Sequence, residues 1–261
     1  MAAACRRAPG GARFGPSWVR YIVVKRRDVI AGLSASYAVG AVGAVGTIVG
    51  AAPSLARAAE DSASRAGSCV LTITGDEGPF YFDPRLVRRD VTERKPGAPV
   101  ELVIRVVEVG GCAPVVGVRS DLWQADAFGL YSGYDKQTGV TEQRTHSTVG
   151  RTFLRGTQFT DADGAVAFKT IYPSWYRGRT PHIHFKVFLG GKNVVTNQII
   201  FPEEINTQAL ARKPYNEHRY VRDTFNATDA YLKRDGSGVL CHIEPHRDGY
   251  RATLQVGIQK A

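Results

Sequence analysis

The sequence predicts an all-β domain, an antiparallel β-sandwich with long loops and little helix. Two observations carry this expectation. Runs rich in Val, Ile and aromatic residues recur along the chain, each closed by a Gly pair or an Asp-Gly turn. Turn signals fall every 10 to 15 residues between them, the rhythm of short strands folding back on one another rather than of βαβ units. Helical periodicity is sparse.

Taken in order, Val100–Val109 is the first strand and ends at Gly110-Gly111. Val115–Trp123 is the second. Gly164–Ile171 is the third, entered through the turn Asp161-Ala162-Asp163-Gly164. That tetrapeptide invites a calcium reading, but it lacks the further ligand and the closing glutamate of an EF-hand loop, so it reads as a hairpin turn. His182–Leu189 and Asn193–Phe201 flank Gly190-Gly191 and form a second hairpin. One helix is expected over Asn216–Lys233, and Tyr250–Ile258 is the closing strand.

The net charge of +10 first suggests a nucleic-acid partner. Its distribution removes that reading. Residues 1–58 carry eight basic and one acidic side chain, leaving about +3 for the remaining 203 residues. The basic excess belongs to a leader: Lys25-Arg26-Arg27 precedes an uncharged Ala/Gly/Val-rich stretch, 29–52, and then Leu55-Ala56-Arg57-Ala58, a small-residue cleavage pattern. This is an export signal, and the paired arginines point to the twin-arginine machinery, which carries folded proteins. An uncleaved anchor formed by residues 29–52 is the alternative, weakened by five glycines in the stretch and by Pro53. The expected organisation is a signal peptide over 1–58, a polar tether over 59–68 and one domain over 69–261. Beyond Cys5, the cysteines are Cys69, Cys112 and Cys241. Export permits disulfides, and three cysteines allow one pair within a chain, expected between Cys69 and Cys112.

The chemistry concentrates at Ile171–Val187. His182 and His184 stand two apart in an alternating segment, so they leave a strand on one face while Ile183, Phe185 and Val187 enter the core. Two imidazoles on one face can converge on a metal ion. The pair alone leaves an ordinary polar strand face as the alternative. Tyr131 and Tyr176 add phenolic oxygens, hard ligands suited to Fe(III), and imidazole also suits iron.

A longer pattern joins these residues. Glu77-Gly78-Pro79-Phe80-Tyr81 is followed by Asp121–Tyr134, Phe153-Leu154-Arg155-Gly156-Thr157-Gln158, Pro173-Ser174-Trp175-Tyr176, Arg179-Thr180-Pro181-His182-Ile183-His184-Phe185 and Gln198. In this order the segments resemble the intradiol ring-cleavage dioxygenases, the catechol and protocatechuate class, over roughly Cys69–Phe201. The resemblance implies one Fe(III) per chain held by Tyr131, Tyr176, His182 and His184. Tyr134 is a close rival to Tyr131, but Gly129-Leu130-Tyr131-Ser132 carries the matching pattern. The resemblance also implies a catechol-type substrate and O2. The ring opens between its two hydroxyl-bearing carbons, both oxygen atoms are incorporated, and the product is of the muconate type. Tyr176 would leave the metal and take a substrate proton. Arg179 would stabilise negative charge developing on the ring, Gln198 would hydrogen-bond a substrate or hydroxide oxygen, and Gly78 and Pro79 would line the substrate pocket.

Catechol-cleaving members carry a helical N-terminal segment that builds their dimer. Here only about ten residues separate Ala58 from Cys69, so a homodimer would use another surface. The rival readings are an exported β-sandwich binding module without metal, and a zinc hydrolase on His182 and His184. The second lacks an H-E-x-x-H helix, and a serine hydrolase lacks a G-x-S-x-G elbow.

Overall fold

The computed structural model describes residues 69–140, 145–235 and 238–260. The expected leader, the 29–52 anchor and the 59–68 tether lie outside the described residues.

Among the described residues, nine strands form two sheets. They are β1 (Pro99–Glu108), β2 (Arg119–Gln124), β3 (Arg155–Phe159), β4 (Ala165–Ile171), β5 (His182–Leu189), β6 (Lys192–Ile200), β7 (Val239–Leu240), β8 (His242–His246) and β9 (Gly249–Ile258). One sheet runs β4-β1-β9-β8 and the other β3-β2-β5-β6-β7. Two short helices, α1 (Glu203–Leu210) and α2 (Ala230–Asp235), and a 3-10 turn at Tyr215–Glu217 follow β6.

The core forms where the two sheets face each other. Val100, Leu102, Ile104 and Val106 of β1, with Ala252, Leu254 and Val256 of β9, meet Leu122 of β2 and Ile183, Phe185 and Val187 of β5. Period-2 alternation sends these side chains inward, and each is 5% exposed or less. The β5–β6 hairpin turns at Gly190 and Gly191, both at positive φ (57° and 81°), the backbone of a type I′ turn.

The β-sandwich expectation holds, with differences in detail. Each sheet contains one parallel pair, β1 with β9 and β6 with β7. Turn chemistry in the sequence specifies only hairpins; the parallel pair arises because the β8–β9 hairpin docks beside the first strand from far along the chain. The second strand starts at Arg119 rather than Val115, because Gly117 (φ 74°) turns the backbone between Val115 and Val118, which still pack in the core. The turn at Asp161–Gly164 is present, with the Asp161 carboxylate accepting from the amides of Asp163 and Ala165. It joins β3 to β4 across the two sheets rather than closing a hairpin.

The helix expected over Asn216–Lys233 is replaced by the 3-10 turn, an irregular stretch and α2. Side chains there compete for the backbone: Thr228 Oγ1 accepts from the Phe225 amide, and the Asp229 carboxylate accepts from the Tyr231 amide, 2.9 Å each. Helix α1 was not anticipated, although Pro202-Glu203-Glu204 is a start signal. Strands β3, β7 and β8 were likewise not anticipated. Cys69 and Cys112 form a disulfide, and Cys241 is a buried thiol.

Candidate metal centre

The site lies on the face of the five-stranded sheet turned away from the core. The backbone ladder pairs Arg155 with Trp123, Trp123 with His184 and His184 with Gln198. These four residues therefore form one row across β3, β2, β5 and β6, with their side chains on one face. A second apolar cluster covers this face: Trp123, Ala125 and Tyr131, packed by Phe80, Tyr81, Tyr134 and Tyr176.

Both tyrosines are delivered by shaped loops. The Tyr131 loop is turned by Asp126, whose carboxylate accepts from the amides of Phe128 (2.9 Å) and Leu130 (3.0 Å). Gln137 clamps Tyr131 at both backbone groups, at 2.7 and 2.8 Å, and Thr148 Oγ1 donates to its carbonyl at 2.6 Å. Tyr176 and Arg179 close a four-residue turn through reciprocal backbone bonds, with Gly178 at φ 80°. The two loops meet at Gly129, where a Cβ would lie 3.1 Å from the Trp175 carbonyl and 3.3 Å from Tyr176 Cβ.

The four predicted donors converge. Tyr131 Oη lies 3.1 Å from His182 Nε2, 3.0 Å from His184 Nε2 and 3.5 Å from Tyr176 Oη. His182 Nε2 lies 3.3 Å from Tyr176 Oη and 3.1 Å from His184 Nε2. His182 Nδ1 donates to the Thr180 carbonyl at 2.7 Å, which leaves the Nε2 lone pair directed into the cluster. Burial and the nearby Arg179 charge hold both imidazoles well below their usual range, so they are neutral. Burial, chiefly, raises both phenols.

This arrangement fits a metal. His182 Nε2 and His184 Nε2 stand 3.1 Å apart, close enough for one cation to take a lone pair from each ring. Donors spaced at about 3.2 Å leave a centre about 2 Å from each, the length of a transition-metal bond to imidazole nitrogen or oxygen. A cation there would also reverse the effect of burial on the phenols. Among the described residues no cluster of three His, Cys, Asp or Glu could hold a metal, so the tyrosines are indispensable to this set.

Tyr134, the rival to Tyr131, points elsewhere and donates to the Tyr81 carbonyl at 2.9 Å. Arg179 sits beside the cluster, its Nε donating to Asp229 at 3.1 Å, its Nη2 to Gln198 Oε1, and its guanidinium 4.5 Å from the Tyr231 ring centroid. Gln198 is fully buried, and its Nε2 has no partner among the described residues. Gly78 (φ 73°) abuts His184: a Cβ there would lie 3.4 Å from Cε1. Pro79 is exposed.

Sequence reasoning missed the envelope. Phe80 stacks on Tyr131 at 4.4 Å and Trp123 on His184 at 4.8 Å. Asp229 holds both Arg179 and the Thr180 amide. Lys186, 7% exposed, lies 3.8 Å from the Tyr81 ring centroid and pairs with Glu77, pinning segment 77–81 over the site. Trp123, Phe80 and Tyr81 stood inside the matched motifs; Asp229 carried no signal beyond being an acid in a mixed stretch.

The Dioxygenase family model matches residues 77–209, just over half of the chain. No curated protein matches the sequence. Among solved structures, the chain is similar to an intradiol ring-cleavage dioxygenase from Tetranychus urticae, with 30% identity and a TM-score of 0.66 over 73% of this chain and 95% of that one. It is also similar to the dioxygenase domain of a dioxygenase carbohydrate-binding protein fusion from Streptomyces sp. SirexAA-E, at 28% identity and a TM-score of 0.54, covering 74% and 100%. Hydroxyquinol 1,2-dioxygenase from Pseudomonas putida DLL-E4 shares the fold at 19% identity and a TM-score of 0.51, covering 78% and 71%. The chain belongs to the intradiol ring-cleavage dioxygenase family.

Proposed function

We propose that this protein is a non-haem Fe(III) dioxygenase that opens a catechol-type ring between its two hydroxyl-bearing carbons with O2. The observation that carries the reading is the convergence of two phenol oxygens and two imidazole nitrogens, with separations of 3.0 to 3.5 Å, on a buried face. Tyr131, Tyr176, His182 and His184 would hold the ion, and bound there it would supply Lewis acidity toward the catechol oxygens and a route for electron density out of the ring.

The chain's own residues do the rest. The Thr180 carbonyl fixes the tautomer of His182. Tyr176 Oη, buried beside Arg179, would take a catechol proton. Arg179, held from two sides by Asp229 and Gln198, keeps a fixed positive charge against negative charge developing on the ring. Gln198 Nε2 is the donor left over for a substrate or hydroxide oxygen. Phe80, Tyr81 and Trp123 exclude water from the cluster. The basic and apolar leader, together with the Cys69–Cys112 disulfide, supports export by the twin-arginine route, with membrane anchoring by residues 29–52 as the alternative.

The test is a visible spectrum of purified protein with its iron content, then catechol added without oxygen, then O2. Expected are a tyrosinate-to-iron band at one iron per chain, a shift of that band on catechol addition, and two labelled oxygen atoms in the product from ¹⁸O2. A protein that stays colourless after ferric loading overturns the proposal.

A further inference from the structure

The row Arg155–Trp123–His184–Gln198 has a second property. Each member keeps one buried nitrogen without a hydrogen-bond partner among the described residues: Arg155 Nη1, Trp123 Nε1, His184 Nδ1 and Gln198 Nε2. Arg155 is the charged member. It is 1% exposed, yet no carboxylate reaches it among the described residues. Buried cations are ordinarily paired with an anion, because desolvation is costly.

Its contacts explain where it is anchored. Nε donates to Ser132 Oγ and Nη2 to the Ser132 carbonyl, both at 2.8 Å, so the guanidinium grips the residue next to Tyr131 at both polar atoms. Its carbon lies 4.2 Å from the Phe82 ring centroid and 5.6 Å from that of Tyr134. Burial pulls Arg155 down to about 10, so it remains charged at neutral pH. A full positive charge therefore stands behind the Tyr131 and His184 side of the donor cluster, unneutralised by any acid among the described residues, whereas the charge of Arg179 on the other side is balanced by Asp229.

We infer that Arg155 is a positioning residue of the metal centre: it fixes the Tyr131 loop through Ser132, and its uncompensated buried charge raises the reduction potential of the ion held there. This deepens the ferric dioxygenase reading and rests on it. A positive charge near a metal favours its lower oxidation state, so removing the charge stabilises the ferric form.

The experiment measures the ferric/ferrous midpoint potential and the tyrosinate band of the iron-loaded full chain in four proteins: wild type, Arg155→Lys, Arg155→Gln and Ser132→Ala. Arg155→Gln keeps a hydrogen-bonding group toward Ser132 and loses the charge. The expected result is a potential lowered by at least a tenfold change in the equilibrium, about 59 mV for one electron. Arg155→Lys and Ser132→Ala keep the charge and stay within threefold of wild type in the same equilibrium, while Ser132→Ala broadens or moves the band. The inference is overturned if Arg155→Gln matches wild type, or if Arg155→Lys falls as far as Arg155→Gln. If Arg155→Gln does not fold, an Arg155→Lys potential outside threefold overturns it and one inside supports it. Absence of any tyrosinate band in wild type sinks the ferric reading instead, which separates the two failures.

Discussion

The two faces of the five-stranded sheet are cut from the same strands and differ in what covers them. Leu122, Ile183, Phe185 and Val187 face the second sheet and are closed off by β1 and β9. Trp123, His182 and His184, on the same strands, are as deeply buried but are covered by loops and by segment 77–81. A sheet covering a sheet brings apolar stripes together and needs no polar group. A face covered by loops meets backbone turns, ion pairs and phenols, so polar side chains can be buried there with partners. One strand, β5, thus serves stability with its odd-numbered residues and chemistry with its even-numbered ones.

Substitutions across β5 test that division. On the site face, His184→Ala is expected to lower iron retention and ring-cleavage rate by more than about a hundredfold, beyond the loss typical of residues that only support a ligand. The metal-free protein should unfold within about 1.5 kcal/mol of wild type. Its neighbour on the core face, Phe185→Ala, is expected to cost about 3–5 kcal/mol in denaturant unfolding, with the tyrosinate band unmoved in the protein that remains folded. If the two variants show the same profile, the faces are not separable in this way.

Asp229→Asn comes next. It weakens the anchor of Arg179 without touching the donors, so the resting band stays while turnover falls about tenfold or more. A shifted resting band would mean that Asp229 acts on the Thr180–His182 side instead.

The pH dependence sharpens the same contrast. Both imidazoles are held below their ordinary value of 6.5 in the fold. The unfolded chain therefore binds protons that the folded site refuses. The stability of metal-free protein is fully present above about pH 6.5 and is lost as pH falls below it, by up to about 1.4 kcal/mol per pH unit for each imidazole. Replacing both histidines with asparagine should flatten this slope; an unchanged slope would assign it to other groups.

The smallest effect is at Cys241 in the main core. Burial pushes its thiol up to about 12, so it should resist alkylation in native protein at pH 8 and react only on unfolding.

Much of this division was legible in the sequence. The spacing of His182 and His184 required a shared face, and Ile183, Phe185 and Val187 an inward one, because side chains alternate strictly along a strand. β-Branched runs and glycine pairs located five of the nine strands to within a residue or two at nearly every end, and β2 with its start displaced. The motif set brought Tyr131 and Tyr176 to the same site although 45 residues separate them. Other placements left no local trace. Arg155 stands inside the matched segment Phe153–Gln158, but only the ladder from β3 through β2 to β5 sets it in line with His184. Asp229 reaches Arg179 across 50 residues of sequence. The parallel pairing of β1 with β9 joins the two ends of the sandwich.

The sequence by itself determined the sandwich class and the alternation of β5, because those properties follow from local periodicity, and its resemblance to the family singled out the four side chains that converge. Only the tertiary structure decided strand order, the aromatic cover of Phe80 and Trp123, the Asp229 anchor and the unpaired charge of Arg155. Each of these depends on which distant segments pack together, and hydrophobic burial, which drives that packing, is non-directional and carries no record of its partner in the local sequence.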